Sequence, residues 1–161
     1  MKTGTIIEEN VKRIPYGVSN FVEVVEQNQY YVDKTMYLPL LEQQPNSLFF
    51  IRPRRFGKSL LISMLASYYD RTKVNRFEEL FGGTWIGEHP TKKHNQYLVI
   101  RYDFSAMVMA DDMQGLAQNF DKLNCIPVEI TLEHNRDLFG DFQFTTRGNA
   151  AQMLEELLGY A

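Results

Sequence analysis

Phe49-Phe50-Ile51-Arg52-Pro53-Arg54-Arg55-Phe56-Gly57-Lys58-Ser59-Leu60-Leu61 reads as an apolar strand, a basic loop closed by Gly-Lys-Ser, and an apolar helix. That order is the layout of a phosphate-binding loop. A nucleoside triphosphate carries dense negative charge and needs donors that approach closely. Successive backbone N–H groups and the dipole of the following helix supply them. Gly57 removes the side chain that would obstruct the approach. Lys58 is the expected catalytic cation, placed on the β- and γ-phosphates, and the Ser59 hydroxyl suits Mg²⁺. Arg54 and Arg55 add positive field, and Arg52, Pro53, Phe56 and Leu60 complete the expected binding segment for ATP.

Gly-Lys-Ser alone would arise by chance in roughly one chain in ten of this length. The flanks make the match more specific, because the apolar run stops at Ile51 and the apolar helix starts after Lys58. One position departs from the general pattern: Arg52 stands where the first Gly of the loop is usual. A basic surface turn is the competing reading of the same residues.

Composition bounds the rest. A chain of 161 residues predicts one domain. The net charge of −3 argues against a protein that chiefly coats nucleic acid. Cys125 is the single cysteine, which excludes an internal disulfide and fits a reducing, cytoplasmic setting. No segment approaches the ~20 apolar residues of a membrane span. Met1-Lys2-Thr3-Gly4 has no apolar run behind it, so no signal peptide is expected.

Along the chain, residues 1–13 read as a polar lead-in. Asn20 and Glu23 read as a capping box for a short helix. Tyr30-Tyr31-Val32 is β-prone, and Asp33 is a good cap for a helix over 34–42, although Pro39 lies inside it. Leu48–Ile51 is the first expected core strand. Residues 58–69 are helical and apolar on most faces, which predicts a largely buried helix. A short helix over 76–81 and a turn over 81–85 follow. Tyr97–Tyr102 reads as a second strand, ending at Asp103. Residues 106–123 read as a long helix. Pro127–Leu132 alternates like a strand yet also suits a helix. Residues 146–158 read as an amphipathic helix.

The loop Arg52–Ser59 resembles that of the AAA-ATPase-like family, bacterial proteins often fused to a restriction-nuclease-like C-terminal domain. In that family the arginine-rich loop without its first Gly is usual. Ile14-Pro15-Tyr16-Gly17-Val18-Ser19-Asn20-Phe21 resembles the family's N-terminal motif, and Tyr30-Tyr31-Val32-Asp33-Lys34-Thr35 resembles its next block. The resemblance is clear over residues 14–105 and weaker beyond. It implies an α/β fold, a P-loop NTPase-like parallel sheet flanked by helices, incomplete within this chain. Residues 1–46 would be lead-in helices and 47–161 the start of the nucleotide-binding core of one domain. Homo-oligomers are common in this broad class, and nucleic acid is implied only through the nuclease-like partner domain, which is absent here.

Asp103 ends a β-prone run and superficially resembles the acid of a Walker B strand. The family's own acidic motif is an apolar run followed by Asp-Glu-Tyr-Asp, which does not occur in residues 106–161. The chain is thus expected to be an N-terminal piece that binds ATP with little or no hydrolysis, and to expose apolar surface. A nucleotide-gated scaffold and a small-molecule kinase using the same loop are the alternative functions. Tyr16, Tyr30 and Tyr31 read as adenine contacts or as core. His89, His94 and Lys92-Lys93 read as a solvated loop, because no carboxylate or Cys lies at ligand spacing. His134 reads as surface, Cys125 as a buried small residue, and Trp85 as packing over the Gly82-Gly83 turn.

Overall fold

The computed structural model describes residues 12–45 and 47–160, and side chains cap some of its helices, α1 and α6 below among them. Of the lead-in at 1–13, only Lys12 and Arg13 are described, and the expected lack of a signal peptide concerns residues outside that range. The chain divides into two units, the first ending at Gln96 and the second starting at Tyr97.

In the first unit Asn20 is extended, and its side chain accepts from the Val22 N–H at 3.1 Å, which starts α1 (Phe21–Glu26). Glu23 does not reach back to close a capping box; its carboxylate accepts from the Gln27 amide at 3.1 Å instead. The Asp33 carboxylate accepts from the Thr35 N–H at 2.8 Å and from the Trp85 N–H at 2.7 Å. A 3₁₀ turn (Thr35–Tyr37) then leads into α2 (Leu38–Leu41). Pro39 lies in the first turn of α2, where a missing N–H costs nothing. The helix expected over 34–42 is therefore two short pieces.

α3 (Lys58–Tyr69) occupies the residues expected of it. Asp70 caps a 3₁₀ segment (Arg71–Arg76), followed by α4 (Phe77–Phe81) and α5 (Trp85–Glu88). Gly87 is dictated by close approach: a Cβ there would lie 1.9 Å from the Phe81 carbonyl oxygen. Phe21, Leu38, Met64, Tyr68, Leu80, Phe81 and Ile86 form the core of this unit. The Phe21 ring stacks on Phe81 at 5.1 Å, and Tyr68 meets Phe81 edge to face at 5.5 Å. The buried Tyr68 hydroxyl accepts from the Thr91 N–H at 2.9 Å, so its polar end is satisfied.

In the second unit Asp112 accepts from the Gly115 N–H at 2.6 Å and starts α6 (Met113–His134). The helix expected over 106–123 starts later and continues through Pro127. Asn124, Cys125, Val128, Thr131 and Leu132 are buried, a spacing of three and four that is helical rather than strand-like. This periodicity settles the ambiguous segment in favour of helix. α7 (Arg136–Phe139) adds Phe139, and α8 (Ala150–Tyr160) adds Met153 and Leu157 to the same core. α8 starts later than expected because the Thr145 and Thr146 N–H groups donate to Glu156, at 2.7 and 3.1 Å.

The expected parallel sheet is absent. Among the described residues no strand extends beyond an isolated bridge position, and the architecture is mostly helical. Leu48–Ile51 forms no strand, with Phe49 91% and Ile51 77% exposed. Over 97–102 only Tyr97 takes a bridge position. Leu98, Ile100 and Tyr102 pack against the second core at alternate positions, without a ladder. The strands expected over Leu48–Ile51 and Tyr97–Tyr102 are therefore not formed. A strand needs a partner at long range, and propensity does not supply one. No described helix is long and apolar enough to cross a membrane.

Pro127 removes a backbone donor within α6 and crowds the preceding turn. Pro127→Ala is expected to stabilise the chain by ~1–3 kcal/mol in urea unfolding monitored by far-UV circular dichroism. Tyr31 packs edge-on against Phe21 at 5.1 Å. Burial first, and the nearby Asp33 charge second, push its hydroxyl up to about 12 from the usual 10.0. The unfolded chain would release this proton at lower pH than the fold does. This contribution is therefore intact below pH 10 and lost as pH rises toward 12. Denaturant midpoints measured across that range should fall, and Tyr31→Phe should flatten the slope.

Candidate phosphate-binding loop

The loop is built by two left-handed residues ahead of a helix. Ile51–Pro53 has no regular secondary structure, Arg54 and Arg55 turn, and Arg55 adopts φ 65°. Gly57 follows at φ 72°, ψ 19° and serves as the cap position of α3. Arg55 bears a Cβ in this conformation, a strain of ~1–2 kcal/mol that Gly57 avoids. No side chain caps α3, so the first-turn N–H groups face the loop without an intrahelical partner. The Gly57 carbonyl accepts the first helical bond, from the Leu61 N–H at 2.9 Å.

The Lys58 ammonium folds back across the loop. It donates to the carbonyl oxygens of Arg52 at 2.6 Å and Pro53 at 2.8 Å. The loop therefore already encloses a cation at its start, held by neutral dipoles. Arg52 does not point its charge the same way, because its guanidinium lies over the Phe50 ring at 5.2 Å. Arg54, Arg55, Phe56, Gly57 and Ser59 are exposed, and Lys58 is half-buried. Leu60 is half-buried against the first core and anchors the helix below the loop. The nine residues 52–60 thus form one continuous segment, with Lys58 brought onto Arg52 and Pro53.

The other residues singled out from the sequence have structural duties. Asp103 caps the turn Phe104–Ala106, accepting from the Ser105 N–H at 2.9 Å. Hydrogen bonds from the Ser105 side chain and backbone hold its carboxyl below the usual range. Trp85 stacks on His89 at 4.6 Å rather than over the Gly82-Gly83 turn. The His94 ring packs on Phe77 at 4.8 Å. Cys125 is buried, and burial pushes its thiol up, away from nucleophile behaviour. His134, Lys92 and Lys93 are exposed. No group of three or more His, Cys, Asp or Glu that could hold a metal ion occurs among the described residues.

Two polar residues of α3 escape a reading of that helix as apolar. Ser63 and Ser67 are each 5% exposed. The spacing Ser59, Ser63, Ser67 repeats every fourth residue and is the signal that would have shown a polar stripe along one face.

A model of the family described as "Predicted AAA-ATPase" matches residues 15–161. The "uncharacterized protein in vnfD 5′ region" of Azotobacter chroococcum mcd 1 is 32% identical over 142 residues, covering 81% of this chain and 25% of that protein. The chain therefore spans about a quarter of that curated relative. No solved structure matches the chain. Since the family model covers all but the first residues and includes the loop described above, the chain belongs to the AAA-ATPase-like family and is an ATPase-like module.

Proposed function

We propose that this chain binds Mg-ATP through Arg52–Leu60. The observation that supports it most is the uncapped start of α3 behind the left-handed Gly57, with the Lys58 ammonium folded over the same loop. In this reading the N–H groups at the start of α3 donate to phosphate oxygens. Lys58 exchanges two neutral carbonyls for β- and γ-phosphate oxygens, a stronger, charge-assisted contact. Ser59 lies exposed in the first turn, so its hydroxyl suits one position on Mg²⁺. The metal, when bound, would neutralise charge on the phosphates. Arg54 and Arg55 hold further positive charge at the exposed turn.

Hydrolysis needs more than this loop. A carboxylate must hold the metal's water or orient the attacking one. Asp103 is engaged in its own turn, and Asp112 caps α6. The proposed activity of this chain is therefore nucleotide binding with little or no turnover.

Titration of a fluorescent ATP analogue with Mg²⁺ tests the assignment. Lys58→Ala should weaken binding by about a hundredfold, in line with the ~1.5–3 kcal/mol of a hydrogen bond to a charged group. Ser59→Ala should abolish the part of the affinity that depends on Mg²⁺. Equal affinities in wild type and Lys58→Ala would sink the assignment.

A further inference from the structure

Ser63 lies within α3, one turn beyond Ser59, and is 5% exposed. Its hydroxyl joins α3 to the start of α1. The oxygen accepts from the Phe21 N–H at 2.9 Å, and the hydroxyl donates to the Asn20 side-chain oxygen at 3.3 Å. The same Asn20 oxygen accepts from the Val22 N–H at 3.1 Å. The Phe21 N–H has no partner within α1 and would otherwise be a buried unsatisfied donor. It is capped from another helix, at an N–H that neither Asn20 nor Glu23 serves. Phe21 itself is fully buried and stacked on Phe81, so this end of α1 is held firmly.

Apolar contacts alone leave a helix some freedom to rotate or slide along its partner. A directional bond from residue 63 removes it. Lys58 lies only five positions before Ser63, ~7.5 Å along the helix axis. Any rotation or slide of α3 at Ser63 carries the loop, the Lys58 stem and the Ser59 hydroxyl with it. We propose that Ser63 and Asn20 are positioning residues for the phosphate loop. They set the register of α3, so that the first-turn N–H groups, Lys58 and Ser59 face one triphosphate together. This rests on the reading of Arg52–Leu60 as the nucleotide site.

Ser67 provides an internal comparison. It is the same residue type, on the same helix and equally buried, yet its hydroxyl donates to the Ser63 carbonyl at 2.9 Å and stays within α3. Ser67→Ala therefore removes a buried hydroxyl from the same helix while leaving the α1–α3 link in place.

The test titrates the fluorescent ATP analogue with Mg²⁺ into the whole chain and records melting temperatures in parallel. Ser63→Ala should raise Kd about five- to tenfold, the effect of one positioning hydrogen bond. Ser67→Ala should leave Kd within about twofold even where its melting temperature falls as far. Asn20→Asp keeps an acceptor for both donors and should bind like wild type. If Ser63→Ala does not melt cooperatively, Asn20→Ala removes the other half of the link, the Ser63-to-Asn20 bond, and should raise Kd about threefold. Unchanged affinity in Ser63→Ala, or in Asn20→Ala where that stands in, overturns the proposal. Parallel weakening in Ser63→Ala and Ser67→Ala overturns it too. Lys58→Ala separates the two readings: if it binds like wild type the nucleotide site fails, whereas loss there with unchanged Ser63→Ala rejects only the positioning role.

Discussion

The burial of Phe21 is the constraint on which the first unit depends. Its ring lies between Tyr31 and Phe81, and its backbone N–H is bound by Ser63. One residue thus ties α1, α3, α4 and the Tyr30–Thr35 segment together. Burying such a ring contributes ~1.5–3 kcal/mol, more than any exposed ion pair here can offer. The half-buried Arg76, bound to the exposed Glu26 and Glu79, is an accessory link between α1 and α4 beside it. Of the motif at 14–21 that carries the family resemblance, Asn20 and Phe21 contact the loop helix through Ser63. Both residues have physical work at that junction.

The loop combines rigidity below with exposure above. Leu60 sinks into the core, while Arg54 to Gly57 stand in solvent. The strain of a left-handed Arg55 is tolerated beside Gly57, in a segment whose reading is functional. Lys58 is already held by two carbonyls of the same loop. Phosphate binding on this reading requires an exchange of partners for the ammonium rather than the creation of a site.

Much of the helical part was legible because its causes are local. Asn20, Asp33 and the Lys58–Tyr69 helix appear where the sequence suggests them. Caps act within two or three residues, and a helix bonds within itself. The absence of the expected strands was not legible in the same sense. Phe49, Ile51 and Tyr97 have the composition of strands, but pairing is decided by distant backbone. Similarly, alternation at Pro127–Leu132 concealed the helical spacing of 124, 125, 128, 131 and 132, which becomes visible only when burial is known.

The sequence by itself determined the family and the position of Gly57-Lys58-Ser59 at the start of a helix. These follow from residue types at fixed spacing within one short stretch. The tertiary structure alone decided that the described chain is helical rather than sheet-based, and that Ser63 of α3 caps α1 across 42 residues of sequence. The reason in both cases is range. A cap or a turn is specified by its neighbours, whereas a ladder partner or a helix-to-helix hydrogen bond exists only once distant segments have been packed together.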